Sequence, residues 1–543
     1  MSKIMMVGVL SAAFVLSATA DGEIVDLGSR SLFWQYPAES TAYETPGNWA
    51  VGSQSGESAT ESPNGKDTVR FYRANCTAAS VNTIVLSQDA FVSNFIYNVE
   101  GDAGSLTVDL NGHELCVSNN ATINTRSYAA NSMLTIRDGT FRVVGKHKGG
   151  TTWGAPNEDY GGFYINRPNS QNMGGCLTVD NAKILSDTTL DPAWKWVALQ
   201  GRHHYLTFTN GAEWVSSNLA VTADSGAHIL FSGKNTLCSV QDGKFNTGSD
   251  SYFNAALGAG ATMTFNDGAR LVTGIFRPSS SGTFLFDGGV HELWGVSEGA
   301  TRGAMVCSST VILTNGAAFA TSKKTNNNAI KLESSAFLKL SENCVITSCQ
   351  DNCAFTLGEY STCGAVGPTV EVDGGMIRMP WINVGLKAPG SNSVLRIKGP
   401  KSLVKQTKET EWGSDREMRF SYGARIEFEI PAEGYHDENG TPRAPIQATG
   451  CFGSVSSAIS RPISIKLSHR TYDRAHPQTT LTLMAATKVT DRVAGHDTRA
   501  FYEKLLENVI WENAYHGELS VSDDGKSLLY TAPPARGLML ILR

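Results

Sequence analysis

The stretch LTVDLNGHELCV, from Leu106 to Val117, decides the fold. Leu106 and Val108 alternate with Thr107 and Asp109, Leu115 and Val117 repeat the alternation further on, and Asn111-Gly112 lies between. Taken singly, an Asn-Gly between two such runs is the strongest short signal for a two-residue hairpin. The phrase returns, however, as LTFTNGAEWV from Leu206, MTFNDGARLV from Met263 and VILTNGAAFA from Val311. Strand, Asn or Asp with Gly, and strand again begin near Leu106, Leu134, Leu177, Leu206, Ile229, Met263, Phe284, Val311, Leu338, Val370, Leu395 and Ile426, about 29 residues apart on average. A repeat of this length with no helix between strands indicates a solenoid or a propeller. The uneven spacing and the lack of four-strand blades or a Trp-Asp signature favour the solenoid.

Twelve hairpins in a meander would need a sheet well beyond the ~10 strands at which open sheets curl or split. A coil that turns a corner at each Asn/Asp-Gly stacks parallel strands without that limit, and these residues suit the corner because they tolerate positive φ. Alternate residues then enter one shared core, with Thr107 and Asp109 outward. The 54 glycines and 18% charged residues agree with many short strands and turns.

The units LTVDLNGHEL, LTIRDGTFRV and LTFTNGAEWV resemble the right-handed parallel β-helices of autotransporter passenger-type proteins. The opening PGNWAVGSQSGESATESPNGKDTVRF resembles the Asn-Trp, Pro and Gly-x-Asp-x-x-x-Phe start of passenger-like repeat proteins exported by bacteria. The resemblance covers roughly residues 30 to 430 and implies the fold; its matching residues are corners and core positions, which say little of activity. It departs at the C-terminus, where the ~10-residue alternating strands of a membrane barrel are missing. The expected class is therefore all-β, a right-handed parallel β-helix with a small C-terminal β-rich cap containing one helix. The expected divisions are a signal peptide at 1–20, an opening cap segment at 21–75, the repeats at 76–440 and the closing cap at 441–543. In that cap Phe501, Leu505 and Val509 fall on one helical face, Asp497 or Thr498 caps the helix start, Asp524-Gly525 joins two strands, and Leu538 to Leu542 reads as a final strand. Trp34, Trp49 and Phe71 are expected to close the front end.

MSKIMMVGVLSAAFVLSATA has the basic start, apolar run and Ala18-Thr19-Ala20 site of a secretory signal peptide. Its apolar run is shorter than the ~20 residues of a spanning helix, so the reading is a secreted, extracellular or cell-surface chain with no membrane span after cleavage. A net charge of −6 and the lack of a dense Lys/Arg run argue against a nucleic-acid partner. Ten cysteines leave three fates open: core thiols, local disulfides, or a metal site in the Cys344, Cys349, Cys353 and Cys363 cluster, which lacks paired CxxC knuckles. No metal or cofactor is expected.

Enzymatic signals are sparse. Arg396-Ile397-Lys398 is similar to the Arg-Ile-Lys of polygalacturonase-like hydrolases, but the Asn-Thr-Asp, Asp-Asp and His-Gly that lie upstream of it there do not occur upstream of it here. Asp138, Asp267, Asp287 and Asp373 recur at the corner phase, interchanging with Asn111, Asn181, Asn210 and Asn315, as a turn requirement produces and a charge requirement does not. The repeat is interrupted between about Lys146 and Tyr205, where loops carry Trp153, Tyr160, Tyr164, Trp194, Trp196, His203 and Tyr205. Such insertions map to a solenoid's surface, and aromatic rings with neighbouring acids and amides suit sugars; the competing reading is that the rings plug the loops. The expectation is thus a non-catalytic scaffold of adhesin or glycan-binding type, with an extracellular polysaccharide or cell-surface glycan as partner and these seven residues as contacts. The alternative is a polysaccharide-active lyase or hydrolase of the pectin-lyase-like fold, which needs two carboxylates, or a carboxylate and a cation, in one groove.

Overall fold

A computed structural model describes residues 29–35, 40–74, 82–100, 105–125, 133–144, 163–165, 176–186, 195–199, 205–216, 219–223, 225–240, 252–294, 304–321, 330–333, 335–348, 353–358, 366–385, 392–408, 418–421, 423–453, 462–468, 470–490, 497–512 and 517–535. Fifteen parallel strands, one per coil, stack into a first face that runs from Asn82–Val85 to Val509–Trp511. Leu106–Asp109 does not fold back on Glu114–Thr125 as a hairpin would. It pairs in parallel with Asn82–Val85 below and Leu134–Arg137 above. All twelve phrase starts fall in one register row, each paired with the next from Leu106 to Ile426. The chain is a parallel β-helix.

A second face begins after the first corner and climbs from Glu114–Thr125 through Thr140–Val143 and Lys183–Ser186 to Thr480–Ala486. A third climbs from the far half of Glu114–Thr125 through Phe163–Ile165 and Lys195–Leu199 to Phe452–Gly453. The two join at the front, where the long strands Ala90–Glu100 and Glu114–Thr125 cross both, with a register slip between Val92 and Asn94.

Period-two patterning sets the interior. Leu106, Val108, Leu115 and Val117 are buried, and each coil repeats the arrangement. Phe208, Phe231, Phe265 and Phe286 stack nearly parallel at 4.6, 4.7 and 5.2 Å, one ring per coil. At the first corner Asn111, Asp138, Asn181, Asn210, Asp267 and Asn315 take φ between 47° and 55°, the left-handed region that Asn and Asp tolerate. Asp287 and Asp373 are not among the positive-φ residues; Gly288 and Gly374 take that role at φ 78° and 79°.

The ends are closed differently. At the front, Trp34, Trp49 and Phe71 are buried, with Trp34 edge-on to Trp49 at 5.1 Å. Asp67, the acid of the Gly-x-Asp motif, is buried and accepts from the Arg30 guanidinium at 2.6 Å and from the Asn64 backbone N–H at 2.9 Å. At the back, parallel pairing continues past residue 440 through Ser464–Ser468 to Val509–Trp511. The helix Thr498–Leu506 covers the end of the third face, setting Phe501 5.5 Å from Phe420 and 5.7 Å from Phe452. Asp497 is its N-cap, while the Thr498 hydroxyl donates to the Lys488 carbonyl. Val509 leaves the expected helical face, because the helix stops and Val509 opens a strand.

A second helix, Arg470–Ala475, joins the one expected; at six residues it is too short to carry a periodic signal. Antiparallel pairs of Ser527–Thr531 with Thr480–Ala486 and Glu518–Val521 finish the second face, turning at Gly525. The expected strand Leu538 to Leu542 lies outside the described residues. Among the described residues no helix is long and apolar enough to cross a membrane.

Candidate functional site

Tyr205 is the one expected contact whose side chain lies within the described structure. Trp153, Tyr160, Trp194 and His203 fall outside the described residues, as do Glu158, Asp159, Asp187 and Asp191. Tyr164 and Trp196 lie on third-face strands, Tyr164 in register with Thr122 and Ala198 and Trp196 with Ala220. Tyr205 opens a first-face strand, so the set is divided between two faces flanking the corner where one coil passes into the next.

On the first face the strand pattern buries Leu206 and Phe208 and turns Tyr205 outward, 44% exposed. Register places His228 directly above it, and the rings stack at 5.2 Å and 17°. The next residue in the column, Thr262, joins its hydroxyl to His228 Nδ1 at 3.0 Å. Two residues along, the next outward column carries the partly exposed Thr178, Thr207, Leu230 and Thr264. The result is an aromatic platform bordered by hydroxyls. His228 was missed in the sequence, although it carries a signal: Tyr205 and His228 each stand one residue before a phrase start, which fixes them in one column.

The C-terminal half of the same face is charged. Lys339, Glu371, Arg396, Glu427 and Lys466 occupy one register column in alternating sign. Arg396 donates to Glu427 at 2.6 Å and Glu371 at 3.2 Å; Lys398 reaches Glu371 at 3.3 Å and Glu429 at 3.4 Å. A groove of about 190 Å³ lies among Arg396, Lys398, Glu427, Glu429, Lys466 and Glu512. Arg396 and Lys398 thus sit outward beside carboxylates, the juxtaposition the enzymatic alternative requires. The electrostatics run against proton donation. Burial opposes ionisation of Glu371, but Lys339, Arg396 and Lys398 together outweigh it and hold the carboxyl below its ordinary range. Hydrogen bonds from Lys466 and Ser468 do the same for Glu512. A general acid needs the opposite shift.

The first corner forms a wider groove, about 730 Å³, lined by Asp109, Asn111, Asp138, Asn181, Lys183 and Glu213 among others. Asn and Asp answer one another at this corner and further along the stack: the Asn181 amide donates to Asp138 at 2.8 Å, that of Asn210 to Asp180 at 2.6 Å, and, beyond the groove, that of Asn315 to Asp287. Asn181 and Asp138 share the corner column, whereas Asp180 and Asp287 stand one residue before it, so the latter two amide bonds run diagonally from one coil to the next. Among the described residues no three His, Cys, Asp or Glu side chains converge as metal ligands. Among the described cysteines, Cys176, Cys238, Cys307 and Cys344 are free thiols; Cys76, Cys349 and Cys363 lie outside the described residues. Burial pushes the Cys307 thiol up to about 12, which keeps it protonated and unreactive.

Comparison with family models, curated proteins and solved structures finds no match.

Proposed function

We propose that the chain is an exported, non-catalytic scaffold whose first face holds a glycan. The observation that carries this reading is the Tyr205–His228 pair, an exposed stack of two rings bordered by threonines on a rigid parallel sheet. Sugars present apolar ring faces and a rim of hydroxyls. An aromatic platform covers the first and hydroxyl side chains meet the second. Rings at register-fixed positions lose little conformational freedom on binding, which favours affinity from a small contact. The passenger-like repeat and the N-terminal signal sequence support export to the outside of a cell, where such ligands are found.

The test is a glycan array probed with the full chain and with Tyr205→Ala and His228→Ala, followed by calorimetry on the strongest neutral hit. Binding that falls at least tenfold in both variants, with an unchanged circular dichroism spectrum, supports the reading. No retained glycan, or binding indifferent to both substitutions, refutes it.

A further inference from the structure

The second face carries its charge differently from the first. On the first face every cation of the Lys339, Glu371, Arg396, Glu427 and Lys466 column has a carboxylate in the next rung. On the same coils of the second face, one outward column runs Ala320, Thr347, Arg378, Lys405 and Gln447. Ile377, Met379, Val404 and Gln406 alternate with it and are buried, which turns the column to solvent. Arg378 is exposed, and Thr347, Lys405 and Gln447 are partly exposed.

Arg378 is thus the register neighbour of Lys405, one rung or about 4.8 Å along the stack. Like charges directly opposite one another destabilise a sheet. Among the described residues neither cation forms an ion pair, and Arg378 reaches only the Met376 Sδ at 3.4 Å. The surrounding acids are engaged elsewhere: Glu342 with Lys401 at 2.8 Å, Asp373 with Lys339 at 3.5 Å, and Glu292 with Arg270. The Gln447 amide is also taken, donating to the Ala444 carbonyl at 2.9 Å. Burial and then the Arg378 charge lower the Arg443 guanidinium from its ordinary value, while Asp437 and Glu438 oppose them, so Arg443 is answered within its own loop. What remains is a hydroxyl and two unanswered cations in three consecutive rungs, on an open surface bordered by the partly exposed Val345 and Met376.

We propose that Thr347, Arg378 and Lys405 bind a phosphomonoester, at a site separate from the Tyr205 platform and independent of the glycan reading. The charge count selects the group. A phosphomonoester carries about −1.5 to −2 charge at pH 7 and three acceptor oxygens, which two adjacent cations balance; a sulfate ester or a sugar carboxylate offers a single charge. The Arg378 fork takes two of the oxygens. The Lys405 ammonium meets the group as a point charge from the rung on one side, and the Thr347 hydroxyl donates to it from the rung on the other. With the anion in place, the column gains the alternation of sign that the first face builds from its own carboxylates.

The experiment titrates the full chain calorimetrically with glucose 6-phosphate, glucose 6-sulfate and glucose. Glucose 6-phosphate is expected to bind at least ten times more tightly than glucose 6-sulfate, and glucose not at all. Arg378→Gln should weaken the phosphate at least tenfold. Lys405→Glu should abolish its binding and, by restoring alternation, raise the melting temperature, which a loss of binding through misfolding would not do. Tyr205→Ala should leave both readings unchanged. Flotation with phosphatidylcholine vesicles containing phosphatidic acid, a monoester, or phosphatidylglycerol, a diester, identifies the carrier. Capture on phosphatidic acid alone assigns the group to a lipid, and glucose 6-phosphate binding without capture assigns it to a sugar. The proposal is overturned if neither phosphomonoester binds, if sulfate binds as tightly as phosphate, if both lipids capture equally, or if Lys405→Glu leaves binding intact or melts lower than the wild type. The Tyr205 platform would then stand on its own array result.

Discussion

Replacing His291 by phenylalanine should flatten the acid side of the stability profile. His291 holds an inward position in the second face, in the row that runs through Leu271 and Phe319, and is completely buried. Its Nδ1 accepts the Leu271 backbone N–H at 3.1 Å, which fixes the neutral tautomer with the proton on Nε2, and Nε2 donates to the Gly288 carbonyl at 3.0 Å. Phe265, Phe286 and Phe319 surround the ring at 5.7, 4.7 and 5.9 Å.

Protonation would place a charge in that apolar cage and remove the acceptor of the Leu271 amide. Burial accordingly lowers the imidazole from its ordinary 6.5 to about 4. Because the folded value lies below the unfolded one, the unfolded chain takes up the proton first as pH falls. Stability is therefore intact above about 6.5, declines between 6.5 and 4, and is flat below. The span is worth about 3 kcal/mol at 1.36 kcal/mol per pH unit.

His291→Phe abolishes this term. It also leaves the Leu271 N–H and the Gly288 carbonyl without their partner, a loss of about 2 kcal/mol at neutral pH. The wild type should thus be the more stable protein at pH 7.5 and the less stable one near pH 4. Urea unfolding at four pH values measures the difference, in which all other titrating groups cancel. Since a solenoid can lose coils in sets, exchange of the Leu271 amide gives a local reading of the same crossover. A wild-type advantage that stays constant from pH 7.5 to 4 would refute the reasoning.

Other substitutions follow from single contacts. Gly112 and Gly385 both have positive φ, 84° and 80°, but only at Gly385 would a Cβ strike backbone. Gly112→Ala should cost about 1 kcal/mol and Gly385→Ala more than about 2 kcal/mol, an order read from thermal melts. Glu371→Gln leaves Lys339, Arg396 and Lys398 facing a neutral amide and should cost about 2 kcal/mol at pH 7, less than a fully buried pair because the three cations are partly solvated. Its carboxyl lies below the ordinary range, so this contribution is present at neutral pH and is lost as pH falls below about 4.5; the Gln variant should lack that loss in the same urea series. Asp497→Ala removes the acceptor of the Ala500 N–H at the cap of Thr498–Leu506 and should cost about 1 kcal/mol, with Asp497→Asn nearly neutral.

The first face was legible because two independent signals coincide there. Period two marks Leu106 and Val108 as interior, and Asn111-Gly112 marks the corner; the strand recurs twelve times and an Asn/Asp-Gly follows it in seven, which leaves one register. The third face carried neither signal. Its strands are short, down to three residues at Met305–Cys307 and Ile330–Leu332, too brief for a period-two run to stand out. Lys331, Asn383 and Arg419 look like surface residues in the sequence because they alternate with apolar ones; only stacking reveals that they share a covered column. The charge column from Lys339 to Lys466 was equally hidden, because its partners lie 25 to 46 residues apart along the chain. Of the expected glycan contacts, Tyr205 alone gained a described neighbour, and that neighbour came from the next coil. The continuation of the ladder through Ser464–Ser468 and Val509–Trp511 was read as part of a cap because the Asn/Asp-Gly corner phrase is missing there.

The one-strand-per-coil register also fixes how the molecule would respond to tension. The bonds between coils point along the long axis, so a pull between the two ends loads them in series and opens one coil at a time from a terminus. Each event would release a length set by the spacing of phrase starts: about 70 Å between Met263 and Phe284, which are 21 residues apart, and about 145 Å between Leu134 and Leu177, which are 43 apart. A force trace of the intact chain is therefore a sequence of unequal steps, and the longest of them coincides with the interruption of the repeat.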